Sequence, residues 1–194
     1  MRCRTITLAL SVLTLLAVPV RAQDAAAPPQ NSSRTDLFVG LGGQSRLGDA
    51  NAGWRTNVTL TVDVNVTDRV TLVVVPALGV GVSSATGTWV DYAFLTGPRF
   101  RFGGKQRVTP FVQALAGLQH GTVVPPNGAV PPSPPDRGTA FLLSFGGGFD
   151  VALNPRFAWR AVQFDERSQF GSDLSGGYQF AVSSGFVIRF GTRR

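Results

Sequence analysis

The sequence predicts an all-β fold: a closed eight-stranded antiparallel up-and-down transmembrane β-barrel behind a cleaved signal peptide. Three observations carry this. Apolar and polar residues alternate strictly over long stretches, as at Trp54–Thr67. No stretch after the N-terminus shows a convincing helical period. Glycine is abundant, at 23 of 194 residues, while charged residues make up only 15%, against about 25% in an average soluble domain.

The first 22 residues are set apart. Arg2 and Arg4 precede the apolar run Ile6–Val18, Pro19 breaks it, and Val20-Arg21-Ala22 ends on a small residue. A basic start, a short apolar core and a small-residue cleavage site describe a secretory signal peptide. A membrane anchor fits less well, because a spanning helix needs about 20 apolar residues. Arg2, Arg4 and Arg21 fall in this segment, which leaves 15 basic against 11 acidic residues and a charge of about +4. The basic balance therefore gives no support to a nucleic-acid partner. The single cysteine, Cys3, lies in the same segment, so the rest of the chain has no disulfide and no thiolate metal site. Residues 23–34, rich in Ala, Pro, Asn and Ser, read as a flexible periplasmic leader.

From residue 35 to 190 each element follows from alternation. In Trp54–Thr67, Trp54, Val58, Leu60, Val62, Val64 and Val66 share one face, and Arg55, Asn57, Thr59, Thr61, Asp63 and Asn65 the other. The run exceeds the usual soluble strand of about 5–6 residues and suits a tilted membrane strand of 9–11 or more. Asp68-Arg69 turns the chain into Val70–Ser83, where Pro76 calls for a bulge. Thr88–Phe102 sets Val90, Tyr92, Phe94, Phe100 and Phe102 against Asp91, Arg99 and Arg101. Val108–His120 follows the turn at Gly103–Gln106. The proline-rich Gly121–Gly138 reads as a long loop. Phe141–Leu153, the turn at Asn154-Pro155, Arg156–Glu166 and Tyr178–Phe190 complete the set, and Leu37–Gln44 makes eight. An even count puts both ends in the periplasm. Closure follows because an open sheet edge in lipid leaves backbone groups unpaired. The turns near Asp68, Gly103 and Asn154 are short. The connections near Leu47, Ala85, Pro131 and Arg167 are expected to be longer outer loops. Residues 191–194 form a C-terminal tail.

Three segments resemble the outer-membrane β-barrel domain family, small eight-stranded barrels of the OmpA type. They are Thr109-Pro110-Phe111-Val112-Gln113, Trp159-Arg160-Ala161-Val162-Gln163-Phe164-Asp165 and Ser184-Gly185-Phe186-Val187-Ile188-Arg189-Phe190-Gly191. The resemblance implies a place in the outer membrane of a Gram-negative cell envelope, within a porin-like superfamily, among lipid and lipopolysaccharide. It also implies that the assembly machinery reads the aromatic closing strand. Many members end on the aromatic, whereas here Gly191-Thr192-Arg193-Arg194 follows Phe190.

The polar face supplies the candidate site. Strand direction places Asp63, Arg99, Arg101, Asp150, Arg160 and Arg189 in the periplasmic half, with Gln113 and Gln163 as candidates to join them. Arg160 and Gln163 differ in parity, so at most one points inward unless that strand bulges. Eight strands leave an interior that side chains fill, so these residues are expected to form a structural lumen network and not an ion path. His120, the only histidine, has no serine two residues on and no oriented acid. A lipid A-modifying activity is thus disfavoured against a girdle histidine. Gly40-Leu41-Gly42-Gly43 and Gly146-Gly147-Gly148 lack the following helix that a phosphate cradle needs. The residues show no metal-ligand spacing and imply no cofactor. Trp54, Trp89, Tyr92, Phe141, Trp159 and Tyr178 fit interfacial girdles. The expected role is structural or surface-interacting, as a monomer, with loops Gln44–Ala52 and Gly121–Gly138 open to a surface partner. A lipid A enzyme, a small pore and a soluble lipocalin-like barrel are the alternatives.

Overall fold

The computed structural model describes residues 33–47, 54–83, 87–102, 107–124, 138–170 and 177–192. Eight strands occupy nearly all of them: β1 Ser33–Leu47, β2 Arg55–Asn65, β3 Val70–Ser83, β4 Gly87–Arg101, β5 Val108–Val124, β6 Gly138–Ala152, β7 Phe157–Phe170 and β8 Tyr178–Thr192. Each pairs antiparallel with its sequence neighbours. β1 closes on β8 from Ser33↔Thr192 to Leu47↔Tyr178, giving an eight-stranded up-and-down barrel. No sheet edge remains, which removes the unpaired backbone that an open sheet would present.

Alternation decides the faces. In β2, Asn57, Thr59, Thr61, Asp63 and Asn65 are buried inward, while Val58, Leu60 and Val64 are exposed outward. The same division holds around the barrel, with Phe94, Phe145, Phe149 and Phe186 exposed on the outer wall. Two short turns are held by side chains. Thr67 Oγ1 accepts from the N–H groups of Arg69 at 3.2 Å and Val70 at 2.9 Å. Asn154 Oδ1 accepts from those of Arg156 at 2.9 Å and Phe157 at 2.8 Å. These hydroxyl and amide turns replace ladder bonds where the chain reverses. They lie at the end of the barrel that carries Ser33 and Thr192, here called the terminal end; the opposite one is the far end.

Several expectations need correction. Ser33 and Arg34 belong to β1, and Gly191 and Thr192 to β8, so the barrel exceeds residues 35–190 at both ends. β2 is shorter than its alternating stretch: Trp54, Val66 and Thr67 flank it. Gly121–Val124 extend β5, Gly138 opens β6, Gln44–Leu47 belong to β1, and β7 runs through Arg167 to Phe170. β-branched valines and threonine let β5 continue past His120 towards the prolines. Only 84–86 separate β3 from β4, so that connection is short. Pro76 sits opposite Phe94 with no register shift. No bulge forms there; the β2–β3 ladder lapses between Thr59↔Ala77 and Val62↔Val74 instead, and the missing N–H is absorbed by that gap. The signal peptide 1–22, leader residues 23–32, the Gly103–Gln106 turn, residues 193–194, and loop segments 48–53, 125–137 and 171–176 lie outside the described residues.

The bulge falls in β7. Registers with β6 and β8 both shift there, around Phe149/Asp150 and between Arg160 and Gln163. One extra residue reverses the parity of the strand, so Arg160 and Gln163 both point inward and are buried.

Candidate functional site

The lumen is layered along the barrel axis. At mid-height Val73, Val75, Leu95, Leu115 and Leu142, from four consecutive strands, form an apolar cluster. Between it and the terminal end lies a charged layer. Asp63 on β2 is its hub: Arg99 Nη1 donates to Asp63 Oδ2, which also lies 3.5 Å from Arg160 Nη2 and 3.6 Å from Arg101 Nη2. Arg101 Nη2 bridges on to Asp36 Oδ2 at 2.7 Å. Arg160 grips Asp150 through Nε at 2.8 Å and Nη2 at 3.2 Å.

Amides complete the belt. Gln113 Oε1 accepts from Arg99 Nε at 3.0 Å and Nη2 at 2.7 Å, and its Nε2 donates to Asp165 Oδ1 at 2.6 Å. Gln163 Oε1 accepts from Arg160 Nη1 at 2.9 Å, while its Nε2 donates to Asp165 Oδ2 at 2.7 Å. Asn65 Nδ2 donates to Asp36 Oδ2 at 3.3 Å, and Asn65 Oδ1 accepts from Thr71 Oγ1 at 2.7 Å. Arginine faces are covered too. Arg160 Cζ lies 4.3 Å from the Phe38 ring centroid and 4.7 Å from that of Phe111, and Arg99 Cζ lies 4.5 Å from the latter. Cation–π contact of this kind strengthens when water is excluded. Gly146 makes room for the belt: a Cβ there would run into Asp165 Oδ1 and the Phe164 carbonyl.

Of the six predicted residues, Asp63, Arg99, Arg101, Asp150 and Arg160 meet in this layer. Arg189 does not; it is half-buried, sits across from Asp36 in the β1–β8 register, and has no acidic oxygen of the described residues within 4 Å. Arg101 takes the Asp36 carboxylate in its place. Asp36 and Asp165 complete the layer, and neither was among the predicted residues. Asp36 was legible from parity, since Leu37 and Val39 face out. Asp165 required knowing that the β7 bulge had reversed the parity. Phe38 and Phe111 defy the rule of bulk outside and carried no signal.

A second polar layer lies towards the far end. Arg55 Nη1 pairs with Asp91 Oδ2 at 3.1 Å, Gln44 Nε2 lies 3.5 Å from the same oxygen, and Gln169 Nε2 donates to Gln119 Oε1 at 3.0 Å.

Comparison with solved structures decides the fold. Neisserial surface protein A matches with TM-score 0.64 and 12% identity, over 81% of this chain and 98% of that one. Ail, the attachment invasion locus protein of Yersinia pestis, matches with TM-score 0.52 and 16% identity, over 81% and 99%. The fold is that of the eight-stranded outer-membrane barrels. No protein-family profile matches the chain, and no curated protein does.

On this barrel His120 projects outward, where its Nδ1 lies 3.0 Å from Thr139 Oγ1. The register sets it between Tyr92 and Thr139 near the far end. Among the described residues, no three His, Cys, Asp or Glu residues cluster as metal ligands. Both glycine clusters lie within strands. Trp54, Tyr92, Phe141, Trp159 and Tyr178 are exposed on the outer wall; the side chain of Trp89 lies outside the description.

Proposed function

We propose that this chain is an exported outer-membrane barrel whose lumen is plugged by the Asp63-centred belt, and that it serves a structural or surface-interaction role without catalysis. The observation that carries the reading is the inverted distribution of side chains. Large apolar residues such as Phe94, Phe145 and Phe186 cover the outer wall, while Arg99, Arg160, Asp63 and Asp150 are sealed within. Water would leave this outer band as an apolar patch far beyond the few hundred Å² that soluble monomers expose; hydrocarbon solvates it. A lipocalin-like soluble barrel would carry the opposite arrangement. Ail, which shares the fold, is an outer-membrane protein.

Lipid and lipopolysaccharide then surround a monomer, and β8 is the strand that the assembly machinery engages. Surface partners meet the far end, to which the outer loops belong. Cell fractionation with heat-modifiable gel migration tests the placement. The folded chain should sediment with outer membranes and run faster unheated than boiled; a freely soluble periplasmic protein refutes it. Planar bilayers test the plug. The wild-type barrel should show no stable, large open state, and a sustained pore current contradicts a sealed lumen.

A further inference from the structure

The two polar layers of the lumen differ in how their cations are balanced. In the terminal-end layer Arg99, Arg101 and Arg160 all touch carboxylates, and in the far layer Arg55 has Asp91. Besides the half-buried Arg189, Arg167 on β7 is the exception among the described residues. Arg167 points inward with 5% of its surface exposed, yet no acidic oxygen of the described residues lies within 4 Å, and its Nε is buried without a partner among them. The nearby carboxylate, two residues back at Asp165, is already occupied by the amides of Gln113 and Gln163. An uncompensated guanidinium charge in a dry interior is costly.

Its lateral neighbours share the deficit. In register, Arg167 stands directly between Ser144 of β6 and Gln179 of β8. Both point inward, exposed by only 1% and 3%, and the Ser144 hydroxyl and Gln179 Oε1 have no hydrogen-bond partner. Adjacent strands lie about 4.8 Å apart, so the three side chains are near neighbours in one row across the wall. A guanidinium, a hydroxyl and an amide that can turn its NH2 group inward together offer donors around a positive charge.

We propose that Ser144, Arg167 and Gln179 form a lumenal binding site for a small inorganic anion of chloride or phosphate chemistry. The anion supplies the negative charge that this row lacks and accepts from all three side chains. Size follows from place: an eight-stranded interior has room for side chains and little more. Access is from the far end, because the Asp63 belt and the apolar cluster of β3–β6 lie on the terminal side.

Chloride NMR line broadening by the refolded full chain in detergent micelles tests the site, with phosphate as competitor and the urea-unfolded chain as blank. The folded wild type should broaden the line saturably, and phosphate should reverse it. Arg167→Gln, shown to be folded by heat-modifiable migration, should weaken binding by about tenfold or more, the equivalent of one lost charge-assisted bond. Ser144→Ala and Gln179→Leu should each weaken it severalfold, while Arg156→Gln, in an exposed turn, should not. Broadening equal to that of the unfolded chain, or unchanged in folded Arg167→Gln, overturns the proposal. Should Arg167→Gln fail to fold, unchanged binding in both Ser144→Ala and Gln179→Leu overturns it equally.

Discussion

Asp63 shows how much one lumenal side chain carries. Its carboxylate faces three guanidinium groups, and its burial removes water as an alternative partner for any of them. Taking away one partner of a buried ion pair costs about 3–5 kcal/mol, because the remaining charge stays in a medium that cannot solvate it. Asp63→Ala should therefore lower unfolding stability by about that amount, measured by urea titration of the refolded barrel in lipid vesicles. Arg189 is the contrast. It is half-buried and touches no acidic oxygen of the described residues, so Arg189→Gln should change stability by about 1 kcal/mol or less in the same assay. Comparable losses in the two variants would mean that net lumenal charge, and not the specific contacts to Asp63, holds the layer together.

At the scale of the strand, β7 decides which residues enter the lumen. In the proposed membrane setting, a bulge in the wall leaves backbone groups without ladder partners, and hydrocarbon offers none. Ser184 on β8 resolves this: its hydroxyl donates to the Arg160 carbonyl at 3.1 Å and accepts from Trp159 Nε1 at 3.2 Å. Ser184→Ala should destabilise the barrel by about 1–3 kcal/mol, the cost of a buried carbonyl left unpaired. It should also shift the Trp159 emission, because the indole N–H loses its acceptor. An unaltered urea midpoint would show that the bulge closes its own backbone bonds.

The same strand marks the boundary of what the amino-acid pattern reveals. In β2 and β8 alternation is strict, so faces, register sense and most lumenal residues follow from parity alone. In β7, Arg160 and Gln163 conflict in parity, and only the bulge lets both enter. A bulge adds one residue without a distinctive composition, so the pattern poses the conflict and cannot resolve it. Asp165 stays hidden for that reason. Strand ends at β5 and β7 are not legible from alternation, because polar or glycine-containing stretches such as Gly121–Val124 lack it but still continue the ladder. The row Ser144–Arg167–Gln179 depends on register across three strands, which parity within any one of them does not supply.

For the whole molecule, the charged belt and the apolar wall are two halves of one arrangement. From Thr71 through Asn65, Asp36, Arg101, Asp63, Arg99, Gln113, Asp165, Gln163 and Arg160 to Asp150, contacts join residues of β1 through β7. Closure by β8 then comes from the ladder and from outward aromatics such as Phe186 and Phe190, with no ion pair within 4 Å to β8 among the described residues. If hydrocarbon solvates this wall, the cost of an outward charge must depend on depth. Leu60 lies midway along β2 and faces out, so Leu60→Arg should cost about 2–4 kcal/mol in bilayers, the penalty for arginine near the midplane. Trp54→Arg, beyond the far-end limit of the same strand, should cost about 1 kcal/mol or less by charge, apart from the loss of the ring. Urea unfolding in vesicles reads both. In a soluble barrel Leu60→Arg would place a charge in water at little cost, so equal and small penalties at the two positions would remove the membrane reading, whatever the lumenal network contributes.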